Sequence, residues 1–126
     1  MTERDGARPI LVVEDERPLR ETIQLLLEDE GMTVAPAANG RAALELASCE
    51  RPALVVLDMA LPLMNGDGVA DGLHEMYGQD IPILLTTADG RAAEKALRVG
   101  AYAYLQKPFD IDVFLQEIRR GLDLTG

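Results

Sequence analysis

Residues 10–16, Ile10-Leu11-Val12-Val13-Glu14-Asp15-Glu16, and residues 53–58, Ala53-Leu54-Val55-Val56-Leu57-Asp58, decide the fold. Each is an unbroken apolar run that stops at carboxylates. A strand with one wet face would alternate polar and apolar residues, so continuous runs of this length belong to strands covered by helices on both faces. Ile83-Leu84-Leu85 is a third such run, closed by Thr86-Thr87. These three strands are expected at the centre of a sheet. Met32 to Ala35 is shorter and meets Pro36, while Ala101-Tyr102-Ala103-Tyr104-Leu105 alternates small and aromatic residues. Both read as edge strands, the second with its two tyrosines on one face.

Between the runs, apolar residues recur every three or four positions. The first helix begins near Pro18, a residue suited to a first helical turn, carries Leu19, Ile23, Leu26 and Leu27 on one stripe, and stops at Gly31. Asn39-Gly40 opens a second helix with Ala43, Leu44 and Ala47 inward; a third spans Asp67 to Tyr77 and a fourth Arg91 to Val99. The fifth starts at Asp110, a good N-cap, and sets Ile111, Phe114, Leu115, Ile118 and Leu122 on one face. Strand and helix alternate five times, which is the pattern of an α/β fold with a parallel sheet. Right-handed crossovers with strands two and five outermost give a doubly wound five-stranded parallel sheet, flavodoxin-like order 2-1-3-4-5, with five helices. In such a sheet ligands bind at the carboxyl ends of the strands where the order reverses, between strands one and three.

The remaining composition narrows the function classes. At 126 residues, 48% hydrophobic and 27% charged, the chain is expected to form a single domain over residues 1–126 with its core at about 9–122. Twelve Lys and Arg against 22 Asp and Glu leave a net charge of −10, which repels nucleic-acid backbones and anionic lipid. All of that excess sits in residues 1–86, with 16 acids and 6 bases, whereas residues 87–126 carry 6 of each. One cysteine, Cys49, excludes an internal disulfide, and it reads as structural. No apolar stretch approaches a membrane span, and Met1 to Pro9 is polar where a signal peptide needs an apolar core, so a cytoplasmic location is expected. A single histidine, His74 in the third helix, cannot build a histidine triad or a multi-histidine metal site. The glycines form neither GxGxxG nor a Walker loop.

The chemistry gathers at the strand ends. Glu14, Asp15 and Glu16 follow strand one and Asp58 ends strand three, and an oxygen-only ligand set suits a hard cation, Mg²⁺ above all. Thr86-Thr87 brings a hydroxyl to the same edge from strand four, and Gln106-Lys107-Pro108 brings an ammonium from strand five. A metal, a hydroxyl and an ammonium facing one carboxylate would neutralise three oxygens of a tetrahedral anion, most simply a phosphoryl group. Each residue alone has a plainer reading as a solvated turn, a cap, a strand terminus or a surface charge. The combination is more telling: four complementary side chains end four strands, and a chain with 10 Arg places one of its 2 Lys there.

From about Pro9 to Leu122 the chain resembles the receiver domains of two-component response regulators. Glu14 and Asp15 resemble that family's paired acids, Asp58 its phosphoacceptor, and Asp58-Met59-Ala60-Leu61-Pro62-Leu63-Met64-Asn65-Gly66 its aspartate-to-glycine loop, with Asn65 where Asp is frequent. Thr87 followed by Ala88 resembles the hydroxyl switch, Tyr104 the switch aromatic, and Lys107-Pro108-Phe109 the Lys-Pro-Phe signature with its cis bond. Spacings of 43, 29 and 20 residues separate Asp15, Asp58, Thr87 and Lys107. The resemblance implies a domain that catalyses only its own phosphorylation and dephosphorylation. A sensor histidine kinase, a histidine phosphotransfer protein or a small phosphodonor would donate to Asp58. Mg²⁺ would be held by Asp15, Asp58 and the Ala60 carbonyl, with Glu14 acting through a bound water. It further implies output through Thr87 and Tyr104, and a partner or second copy docked on the fourth-helix, fifth-strand and fifth-helix face.

Two alternatives stand beside this reading. A haloacid-dehalogenase-type phosphatase also uses a strand-end aspartate, but it wants a second Asp two residues on, where Ala60 stands. A degenerate receiver that docks partners without phosphorylation would lack an acid, the acceptor or the lysine. No effector segment is legible, which leaves open a stand-alone receiver or a piece of a longer regulator or hybrid kinase.

Overall fold

A computed structural model describes residues 8–60, 65–88 and 90–124. Five strands alternate with five helices: β1 Ile10–Val13, α1 Arg17–Asp29, β2 Val34–Ala37, α2 Gly40–Cys49, β3 Leu54–Asp58, α3 Gly66–Tyr77, β4 Ile83–Thr87, α4 Ala92–Val99, β5 Ala103–Gln106 and α5 Ile111–Asp123. The strands form one parallel sheet in the order β2-β1-β3-β4-β5, as expected.

The continuous apolar runs are explained by two cores, one on each side of the sheet. Leu11, Val13, Val55, Leu57, Ile83 and Leu85 point to one side, against Ala43 and Ala47 of α2, Val69 and Leu73 of α3, and Val99 of α4. The alternate residues Ile10, Val12, Leu54, Val56 and Leu84 meet Ile23 and Leu27 of α1 and Phe114 and Ile118 of α5. Every residue of β1, β3 and β4 is buried, and burying one such aliphatic or aromatic side chain contributes about 1.5–3 kcal/mol.

The helix ends follow local chemistry. Asn39 caps α2 by accepting from the Ala42 N–H at 2.9 Å, Asn65 caps α3 through the Gly68 N–H, and Asp110 caps α5 through the Asp112 and Val113 N–H groups. α4 stops at Gly100, whose φ of 74° is a left-handed conformation that costs glycine nothing.

Four expectations are corrected. β2 starts and ends two residues later than Met32 to Ala35 and contains Pro36. The Thr33 and Ala37 carbonyls accept from Ile10 of β1 and from Glu14 just after it, so odd residues face β1 and the missing N–H of Pro36 falls on the open edge. The tyrosines do not share a face. Tyr102 precedes β5, where strand alternation does not yet hold, and packs with Leu105 against α5, while Tyr104 is 44% exposed. Ile111 is half exposed because it lines an open groove beside Pro108 and Phe109, and Cys49 is an exposed free thiol at the end of α2. The segment 61–64 of the expected aspartate-to-glycine loop, and the outer parts of the 1–126 domain, lie outside the described residues.

Candidate functional site

The parallel register brings Val13 beside Leu57 and Asp58 beside Thr86, so the residues that follow β1 and end β3 and β4 emerge at one sheet edge. Glu14 is 2% exposed and Asp58 3%, a costly burial for two carboxylates. Lys107 offsets part of that cost. Its Nζ lies 2.8 Å from Glu14 Oε1 and donates to Asp58 Oδ2 at 3.2 Å. The remaining oxygens are held by backbone: the Ala60 N–H donates to Asp58 Oδ1 at 3.0 Å and the Glu16 N–H to Glu14 Oε2 at 3.1 Å. Lys107 is itself positioned by its own N–H, which donates to the Thr87 carbonyl at 2.8 Å; the Lys107–Pro108 bond that follows is cis.

One ammonium serving two buried carboxylates leaves negative charge uncompensated. Burial pushes the Glu14 carboxyl above its ordinary value, and the Asp58 charge adds to the rise; Lys107 and the Glu16 N–H oppose it without cancelling it. For Lys107, burial alone would lower the value, but the Glu14 hydrogen bond and the two carboxylate charges outweigh it and hold the ammonium above its usual range. Asp15 is exposed, and it joins the cluster: one oxygen from each of Glu14, Asp15 and Asp58 lies within 4.8 Å of the others. Three carboxylates and one ammonium sum to two negative charges. A purely oxygen donor set with that residual charge fits a hard divalent cation such as Mg²⁺.

Of the residues singled out in the sequence, Glu14, Asp15, Asp58 and Lys107 are brought together, and Ala60 adjoins them through its N–H. Thr87 is 1% exposed at the end of β4, and Tyr104 pairs with Leu85 one strand further out. His74 lies on α3, half-buried and away from this edge. Arg20 was not anticipated. Its Nη1 donates to the Glu14 carbonyl at 2.9 Å and reaches the Asp15 carbonyl at 3.4 Å, which fixes the acidic turn from the first helix. Only its place one turn into α1, six residues past Glu14, could have suggested it.

Two concavities flank the sheet. An apolar groove of about 560 Å³ borders the site, lined by Leu19, Ile23, Ala88, Lys107, Pro108 and Phe109 among others. An open cleft of about 540 Å³ at the opposite edge is lined by Arg51, Asp80, Pro82, Tyr102 and Leu124 among others and includes none of the site residues.

The response regulator receiver domain family matches residues 10–119. The response regulator MprA of Mycolicibacterium vanbaalenii is 40% identical over 118 residues, covering 92% of this chain and 51% of that protein. The C4-dicarboxylate transport transcriptional regulatory protein DctD of Pseudomonas aeruginosa is 34% identical over 123 residues, covering 95% of this chain and 26% of that protein. The chain thus spans about half, or less, of the length of these curated relatives. Among solved structures, a CheY-like response regulator receiver domain protein from Methanospirillum hungatei superposes with a TM-score of 0.86 at 27% identity, covering 94% of this chain and 95% of that one. The Vibrio cholerae chemotaxis protein CheY4 gives 0.83 at 28% identity, over 90% and 98%. A match that runs from the first residue of β1 into the last helix, on a fold shared with solved receivers, makes this chain a member of the response regulator receiver domain family, a signalling domain of two-component systems rather than a conventional enzyme.

Proposed function

We propose that Asp58 is the phosphoacceptor of this domain, and that the chain catalyses its own modification. The observation that carries this reading is the Lys107 ammonium held between Glu14 and Asp58, with the Asp15 carboxylate beside them and two negative charges left over. In the transfer, an Asp58 oxygen forms a bond to phosphorus as the bond to the donor's imidazole nitrogen breaks, and the imidazole leaves. Lys107 would balance charge on one phosphoryl oxygen next to Asp58, and the Thr87 hydroxyl would donate to another. Asp15, Asp58 and the Ala60 carbonyl would hold Mg²⁺, with Glu14 acting through water; when bound, the ion supplies electrostatic stabilisation of the transferring group. The donor is the phosphohistidine of a sensor kinase or of a histidine phosphotransfer protein, for which the groove beside Lys107 offers an apolar approach.

Output then passes through Thr87 and Tyr104 to the face formed by α4, β5 and α5. Leu97, Tyr104 and Val113 are exposed there, and the acids and bases of residues 87–126 balance, so a partner or second copy meets least repulsion on this face. Incubation with acetyl phosphate and Mg²⁺ followed by intact-mass measurement tests the acceptor. One added phosphoryl group, lost in Asp58→Asn, is expected; undiminished labelling of that variant would refute the assignment.

A further inference from the structure

α4 is anchored by little apolar surface. Its eight residues bury only Ala92, Ala96 and Val99, while Leu97 stands 85% exposed. α5, by contrast, buries Phe114 and Ile118 and is tied to the start of β5 by the Tyr102 hydroxyl, which donates to the Glu117 carbonyl at 2.6 Å. One polar tie of α4 is two-pronged. Arg98 Nε donates to Asp67 Oδ1 at 2.8 Å and Arg98 Nη2 to Asp67 Oδ2 at 3.0 Å.

Asp67 stands in the first turn of α3, directly after Gly66. Gly66 donates its N–H to the Met59 carbonyl at 3.3 Å and lies so close that a Cβ there would come within 2.3 Å of Met59 Sδ. Met59, 6% exposed, is the residue after Asp58. Contacts therefore run without a gap from Asp58 through Met59 and Gly66 to Asp67 and Arg98, and end on α4. A planar guanidinium–carboxylate fork holds only over a narrow range of relative positions, so displacement of α4 or of the first turn of α3 would break it.

We propose that the Asp67–Arg98 pair is a latch that holds α4 in the arrangement described here and is released when Asp58 is phosphorylated. This rests on the reading of Asp58 as phosphoacceptor and adds a second connection to α4, distinct from Thr87 and Tyr104. A contact made in one arrangement only biases the balance toward it, whereas a contact made in both biases nothing.

The test is a double-mutant cycle of Asp67→Asn, Arg98→Gln and the double variant, with two readouts. Beryllofluoride plus Mg²⁺, titrated by calorimetry, should bind each single variant roughly two- to five-fold more tightly than wild type, the range open to an exposed ion pair. The double variant should gain no more than either single. Hydrogen exchange at residues 92–99 without beryllofluoride should be faster in all three. Unchanged or weaker binding in the single variants, or a double variant that gains the sum of both, would overturn the latch. If wild type itself failed to bind beryllofluoride, the phosphoacceptor reading would be what had failed. The exchange data would then decide whether the pair restrains α4, with unchanged rates counting against it.

Discussion

Replacing Lys107 with Met removes the ammonium that faces Glu14 and Asp58 while keeping most of its stem, and this variant probes the site without any phosphodonor. The Lys107 side chain is 16% exposed and the Glu14 and Asp58 carboxylates are buried, so the loss strands two buried carboxylates. Breaking a buried pair in this way costs about 3–5 kcal/mol, and the exposed Asp15 flank favours the lower end. At roughly 4 °C per kcal/mol for a chain of this length, Tm should fall by about 12 °C at pH 8 in chelator. The pH dependence has a definite sign. Burial and the Asp58 charge already hold the Glu14 carboxyl above its ordinary value, and removing the ammonium takes away what opposes them; an acid raised in the fold loses stability as pH climbs from the unfolded toward the folded value. The deficit should therefore be smaller at pH 5 than at pH 8. Thermal melts by circular dichroism at pH 5 and pH 8 decide the matter. A Tm within 2 °C of wild type at pH 8, or an equal deficit at both pH values, would show that Lys107 is not what holds the two acids in the fold.

Three further outcomes are expected. Mg²⁺ should raise the Tm of wild type by mass action, Asp15→Asn should largely abolish that gain, and Glu14→Gln should reduce it less; equal gains in wild type and Asp15→Asn would place the ion elsewhere. Thr87→Ala should remain phosphorylatable at Asp58, by intact mass, yet lose the activation-dependent change in hydrogen exchange over α4 and β5; a wild-type response would remove Thr87 from the output path. Gly121→Ala should lower stability by about 1–3 kcal/mol in urea melts, because its Cβ would lie 2.3 Å from the Tyr102 hydroxyl and 2.5 Å from Leu54 Cδ1.

The apolar runs made the sheet legible because a strand covered on both faces has no polar alternation to confuse it, and Ile10–Val13 and the strand ending at Asp58 emerged with their ends nearly right. The candidate site is legible for a related reason, since Glu14 and Asp58 stand where such runs break, and Thr87 and Lys107 each lie two residues past the last apolar residue of the next two strands. Edges were read less well. Pro36 reads as a stop because its missing donor is costly inside a sheet, and the pairing of β2 shows that the gap faces outward. Arg20 and the Asp67–Arg98 fork escape the sequence reading because they are polar helix residues reaching across space. Nothing in a 3.6-residue period says which surface arginine finds a carbonyl six residues back or a carboxylate 31 residues away.

The far-edge cleft has a practical consequence. Leu124, the last described residue beyond α5, lines it together with Asp80 and Pro82 ahead of β4, so the chain leaves α5 at the sheet edge opposite Asp58. A fluorescent module genetically joined there would sit across the thickness of the domain from the phosphodonor's approach. Reporters of phosphorylation built on this chain can therefore carry their cargo at the carboxyl end with the entrance to the acidic pocket left clear. The same cargo spliced into the turn after β1 would block it.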